Sequence, residues 1–145
     1  MTLDELKQAA DTFCQKHWGV PYTGEIKLVS RDWKWKNGHF ETKRSDPSYQ
    51  VIVFSKRKNS RRTKEEILGT LLHELVHWRL HVLGVPNHDT DQEFVEEAIR
   101  IGAPISNNKA AQEAYKKFCY PTGQMNIYEM EYSCIWTSPK DLGDE

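Results

Sequence analysis

The sequence predicts an α+β domain, and three observations carry that prediction. Residues 25–55 contain three short segments rich in β-branched and aromatic residues, punctuated by turn formers. Outside them, three segments open with a helix-capping pattern and continue with apolar residues at helical spacing. The chain has 145 residues, of which 38% are hydrophobic and 28% charged, enough apolar material for one modest core and too much for a disordered segment.

In chain order, Thr2-Leu3-Asp4-Glu5 is a capping box, and Leu3, Leu6, Ala10, Phe13 and Cys14 follow on one face, predicting an amphipathic helix over residues 3–17. Pro21 and Gly24 end it. Residues 25–31, 33–42 and 49–55 read as strands, with Asn37-Gly38 and Ser45-Asp46-Pro47 as turns between them. Three strands in succession predict a small antiparallel meander. Thr63-Lys64-Glu65-Glu66 is a second capping box, and Ile67, Leu68, Leu71, Leu72, Leu75, Val76 and Leu80 form a broad apolar stripe, the mark of a largely buried helix ended by Gly84 and Pro86. Thr90-Asp91-Gln92-Glu93 reads as a third box, opening a helix with Phe94, Val95, Ala98 and Ile99 that closes near Gly102. Residues 107–118 predict one more short helix, and residues 126–136 a hairpin.

No apolar run approaches the roughly 20 residues of a membrane span. Residues 1–5 lack the basic start and apolar stretch of a signal peptide. Three cysteines, Cys14, Cys119 and Cys134, do not make a disulfide framework. The chain reads as soluble and cytoplasmic. A net charge of −1 hides an asymmetry: residues 1–64 sum to +7 and residues 65–145 to −8, which either solvates the surface or answers a partner of one sign, nucleic acid above all.

The chemistry concentrates on the buried helix. His73-Glu74-Leu75-Val76-His77 is an HExxH motif, whose spacing of four places both imidazoles one turn apart on one helix face. Neutral imidazole suits zinc, and a catalytic zinc takes three protein ligands and a water. Glu74 follows the first ligand, where its carboxylate can act as acid and base toward that water. A chain of this composition contains about 0.02 such motifs by chance, and three polar side chains on an apolar helix are costly without a task. His81 continues the series, but a straight helix cannot converge three such rings on one ion, so it reads as a rim residue or an exposed histidine. His88, beyond the Gly84–Pro86 break, is favoured as the third ligand, with Asp89, Asp91 and Glu93 as competitors.

The segment from Thr70 to Trp78 resembles the core motif of the SprT-like metallopeptidases, which include the Spartan proteases that degrade proteins crosslinked to DNA. Gly84-Val85-Pro86-Asn87-His88, Glu93-Phe94 and Ile101-Gly102-Ala103-Pro104 resemble that family's third-ligand segment and following helix, and the likeness spans roughly residues 3–105. It implies a zincin-like domain with the small sheet packed on the motif helix, His73, His77 and His88 as zinc ligands, and Glu74 as catalytic acid/base. The implied activity is a zinc-dependent endopeptidase acting on DNA-associated proteins. Residues 1–118 would form this domain and residues 139–145 a disordered tail. Residues 119–138 would be a degenerate zinc ribbon, because Thr122 and Thr137 stand where the second cysteine of each CxxC pair would fall. The phrase from His73 to His81 also resembles ImmA/IrrE-type repressor-cleaving proteases, with an acidic ligand from Glu93, Glu96 or Glu97. A further alternative is a DNA-binding module with a structural zinc, its water position closed by Asp89 or Asp91.

Basic residues gather before the motif helix. Lys56, Arg57, Lys58, Arg61 and Arg62 fall within positions 56–64, and Lys34 and Lys36 alternate with Trp33 and Trp35. Basic grooves attract phosphate and aromatic faces stack on bases. On a strand the two tryptophans would share one face, as core or as stacking platform. With the resemblance, this makes single-stranded or irregular DNA the expected partner beside a protein substrate. His81, Arg79 and Tyr115 are the candidates for stabilising an oxyanion.

Overall fold

The computed structural model describes residues 1–119, so the expected ribbon, hairpin and tail lie outside the described residues, Cys119 excepted. The order is α1 (Leu3–Trp18), β1 (Glu25–Val29), β2 (Gly38–Lys43), β3 (Asp46–Ser55), α2 (Lys56–Ser60), α3 (Lys64–Val82), α4 (Gln92–Ile101) and α5 (Lys109–Cys119). It is an α+β arrangement with a three-stranded sheet.

The sheet is mixed rather than an antiparallel meander, with order β1-β3-β2; β1 runs parallel to β3 and β2 antiparallel to it. Composition explains the order. Val51, Ile52, Val53 and Phe54 form the one continuous apolar run in the sheet and are all buried, so β3 takes the centre, where both faces are covered. A meander would centre β2, whose Glu41, Thr42 and Lys43 are poorly suited to burial.

The second expected strand begins five residues late. Residues 31–37 form an irregular loop, and Trp35 is 63% exposed, so the tryptophan alternation of a strand is absent. Gly38 opens β2 rather than turning the chain. It pairs with Phe54, and a Cβ there would come within 2.9 Å of the Val53 carbonyl oxygen, so the close approach of β2 to β3 requires glycine. The β2–β3 turn is made by Arg44 and Ser45, with Asp46 already in β3.

The helices follow the sequence more closely. Both expected capping boxes form at α1 and α3, Thr2 with Glu5 and Thr63 with Glu66. The third does not: Asp91 is the N-cap of α4 and caps no helical N–H with its side chain. The basic stretch after β3 forms α2, capped by Ser55.

Helix α3 is the centre of the molecule, packed on two sides. Ile67, Leu71, Leu75 and Trp78 meet α1 and the sheet through Leu6, Ala10, Ile26, Ile52 and Phe54. Leu72, Val76 and Leu80 meet α4 and α5 through Phe94, Val95, Ala98 and Tyr115. A helix enclosed in this way holds its side chains rigidly, which is what a chemical site built on it needs.

Candidate metal centre

Three features of α3 and its surroundings place the site. The HExxH segment lies mid-helix, with His73 fully buried and Glu74 2% exposed. Helix α3 ends in a Schellman turn: Gly84 at φ +71° donates to the His81 carbonyl and Val85 N–H to that of Leu80 at 2.9 Å. Helix α4 ends the same way, with Gly102 at φ +76° and the Ala103 N–H bonded to Ala98 at 2.8 Å. Each turn delivers a backbone carbonyl to one histidine.

His73 Nδ1 donates to the Pro104 carbonyl at 2.7 Å, and His77 Nδ1 donates to the Asn87 carbonyl. A carbonyl only accepts, so both rings carry their proton on Nδ1 and, when neutral, turn the lone pair of Nε2 inward. Phe94 of α4 holds the rings from behind, stacked on His77 with centroids 4.2 Å apart and edge-on to His73 at 5.0 Å. One ligand atom each from His73, Glu74 and His77 lie within 4.8 Å of one another. Among the described residues this is the one His/Cys/Asp/Glu group of such a kind.

A fourth group enters from the loop before α4. Asp89 Oδ1 lies 3.1 Å from His73 Nε2 and 2.9 Å from His77 Nε2. His88 lines the same cleft beside Asp89 and is exposed, and the His73, Glu74 and His77 group includes neither of the two.

The site opens on a cavity of about 500 Å³ whose walls include Glu74, His77 and His81 from α3 and Gly38, His39 and Phe40 from the edge strand β2. His81 packs edge-on against Phe40 at 5.6 Å. Of the three oxyanion candidates only His81 lines this cavity; Tyr115 is buried with α4 and α5, and Arg79 is not among its walls. His39 was not anticipated. It reaches the wall because β2 starts at Gly38, and its Nε2 is paired with Glu41 at 2.6 Å.

The other acidic candidates are elsewhere. Glu93 and Glu96 are exposed, and Glu97 accepts from Trp18 Nε1 at 3.0 Å and from Arg100. Asp91 accepts the His88 N–H at 2.9 Å.

The basic residues form a surface beside the cleft. Asp32 in the 31–37 loop pairs with Arg61 at 3.0 Å and Arg57 at 3.9 Å, tying that loop to α2. Lys34 lies over the Trp35 ring and Lys36 over the Trp33 ring, and Lys36 also lines the cavity. Lys56 is exposed and Lys58 half-buried. Arg62 turns inward: its side chain is 10% exposed and donates to Thr70 Oγ1 at 2.9 Å and to the Glu66 carbonyl at 3.2 Å.

The fold and site together define an α+β domain with a candidate HExxH metal centre on its buried helix. The chain is similar to a protein named "Protein SprT-like" from Bacillus cereus (strain G9842), 24% identical over 120 residues that cover 79% of this chain and 75% of the relative. It is similar to a second of the same name from Oceanobacillus iheyensis, 30% identical over 90 residues covering 61% of this chain and 52%, about half, of the relative. No family model matches the chain, and no solved structure matches it. The two relatives support membership of the SprT-like family. Among the described residues, no helix is long and apolar enough to cross a membrane.

Proposed function

We propose that the chain is a zinc-dependent endopeptidase of SprT-like type that acts on DNA-associated proteins. The observation that carries the reading is the convergence of two preoriented imidazoles and the Glu74 carboxylate at the floor of an open cleft.

The donor set fits a divalent cation. With both Nδ1 atoms committed to carbonyls, the two Nε2 lone pairs face each other and a carboxylate oxygen, a cluster of acceptors that repel unless positive charge lies among them. Nitrogen and oxygen donors of this kind suit zinc. His73 and His77 would hold such an ion, which when bound would act as a Lewis acid toward the scissile carbonyl and lower the pKa of the attacking water.

The chain's own residues do the rest. Glu74 receives the proton of the attacking water and passes it to the leaving amide nitrogen, so that the amine departs neutral. Its burial on a rigid helix fixes that carboxylate relative to the imidazoles. Gly38, His39 and Phe40 belong to an edge strand, so an extended peptide can lie along β2 by backbone pairing and pass Glu74. The basic surface of Lys34, Lys56, Arg57, Lys58 and Arg61 reaches the cleft at Lys36, which suits a protein substrate bound close to phosphates.

Hydrolysis of a denatured protein, followed with and without single-stranded DNA, tests the reading. Glu74→Gln should abolish turnover while zinc stays bound, and turnover that persists in that variant would refute the role of Glu74.

A further inference from the structure

We propose that His81 is a further catalytic residue of this chain, the donor that hydrogen-bonds the oxyanion formed when water adds to the scissile carbonyl; the inference rests on the peptidase reading above. Its place follows from the helix. Glu74, His77 and His81 recur at spacings of three and four along α3, so the three side chains share one face, and all three line the same cavity.

Hydrogen-bond accounting separates His81 from the two histidines of the motif. His73 and His77 each commit Nδ1 to a backbone carbonyl, that of Pro104 and that of Asn87. Neither ring nitrogen of His81 has a hydrogen-bond partner among the described residues. A neutral imidazole carries one N–H and one lone pair, and with no acceptor to fix the tautomer either nitrogen of His81 can present its N–H to a group in the cavity. The ring is held instead by Phe40, edge-on at 5.6 Å. Phe40 belongs to the β2 edge, so the contact places the imidazole where the motif helix and the peptide-binding strand meet.

Neighbouring polar side chains on the wall are committed elsewhere. His39 Nε2 is paired with Glu41 at 2.6 Å, the Asn87 amide donates to the Val85 carbonyl at 3.4 Å, and Lys36 lies over the Trp33 ring. Thr42 and His88 are exposed to solvent, where a hydrogen bond gains least. As water adds to the peptide carbon, the π electron pair of the carbonyl moves to its oxygen. A donor fixed on a rigid helix stabilises that charge more than it stabilises the neutral carbonyl, and the difference lowers the barrier.

The test is steady-state hydrolysis of denatured casein by the full chain, with zinc affinity measured alongside. His81→Ala should lower kcat by about 10²–10³-fold, the range for losing one oxyanion donor, with KM within about threefold of wild type. Zinc affinity should also stay within about threefold, because His81 is not a ligand in this reading. His81→Phe, which keeps a ring against Phe40 but lacks an N–H, should be as slow as the alanine variant, whereas His81→Gln, with an amide donor, should recover part of the loss. A phosphinic peptide, whose tetrahedral P–O⁻ stands in for the oxyanion, should lose affinity for His81→Ala by the factor lost in kcat/KM. An unchanged kcat in His81→Ala, full activity in His81→Phe, or loss of zinc from His81→Ala would overturn the assignment while leaving the peptidase reading intact. A wild-type chain that hydrolyses no protein would overturn both.

Discussion

His73 Nδ1 donates to the carbonyl of Pro104 at 2.7 Å, across 31 residues of chain. The bond makes the orientation of a buried imidazole depend on how α4 ends. That end is a left-handed glycine followed by a proline that cannot continue the helix, so the site is tuned by a turn that never enters the cleft.

Gly102→Ala should therefore cost about 1 kcal/mol, because a Cβ is strained at φ +76°. A Cβ there meets nothing within 4 Å, so the cost is one of backbone alone. Urea unfolding should show a lower midpoint with unchanged slope, and zinc affinity should fall as the Pro104 carbonyl shifts.

Phe94→Ala should be among the most damaging core changes. Its ring is fully buried and packs on both imidazoles, so truncation costs about 3–5 kcal/mol and frees the rings to move. Phe94→Leu should lose less stability and still lower metal affinity. Thermal unfolding and zinc competition, run on both variants, check this.

Arg62 and Lys56 belong to one basic run but should behave differently. Arg62→Ala leaves Thr70 Oγ1 and the Glu66 carbonyl without their guanidinium donor, a loss of about 1–3 kcal/mol. Lys56→Ala, at an exposed position, should stay within about 0.5 kcal/mol of wild type. If the surface binds phosphates, Lys56→Ala should instead reduce the salt dependence of single-stranded DNA binding, which fluorescence anisotropy measures.

Glu97 should contribute to acid unfolding. Burial acts to raise its carboxyl, but hydrogen bonds from Arg100 and Trp18 prevail and hold it below the usual 4.5. A group with a lowered folded pKa contributes fully above its unfolded value, and that contribution disappears as pH falls through the folded one. Stability should thus decline below about pH 4.5, and Glu97→Gln should flatten that part of the profile. Urea midpoints taken between pH 3 and 7 provide the comparison.

Much of this protein is determined by local sequence. The caps at Thr2 and Thr63, the apolar stripe of α3 and the i, i+4 spacing of His73 and His77 specify helices and a shared face through interactions spanning four residues. Strand order, the conformation of residues 31–37 and the choice between His88 and Asp89 are not local. The run Val51 to Phe54 marks β3 as buried, but its central place follows from competition with β2 for cover on both faces. His88 and Asp89 are neighbours with equal access to the site along the chain. Asp89 is the one that faces the imidazoles, because the loop is held to α3 by the His77 Nδ1 bond to the Asn87 carbonyl and by Phe94 stacked on His77, contacts that exist only once the chain beyond Gly84 folds back on α3.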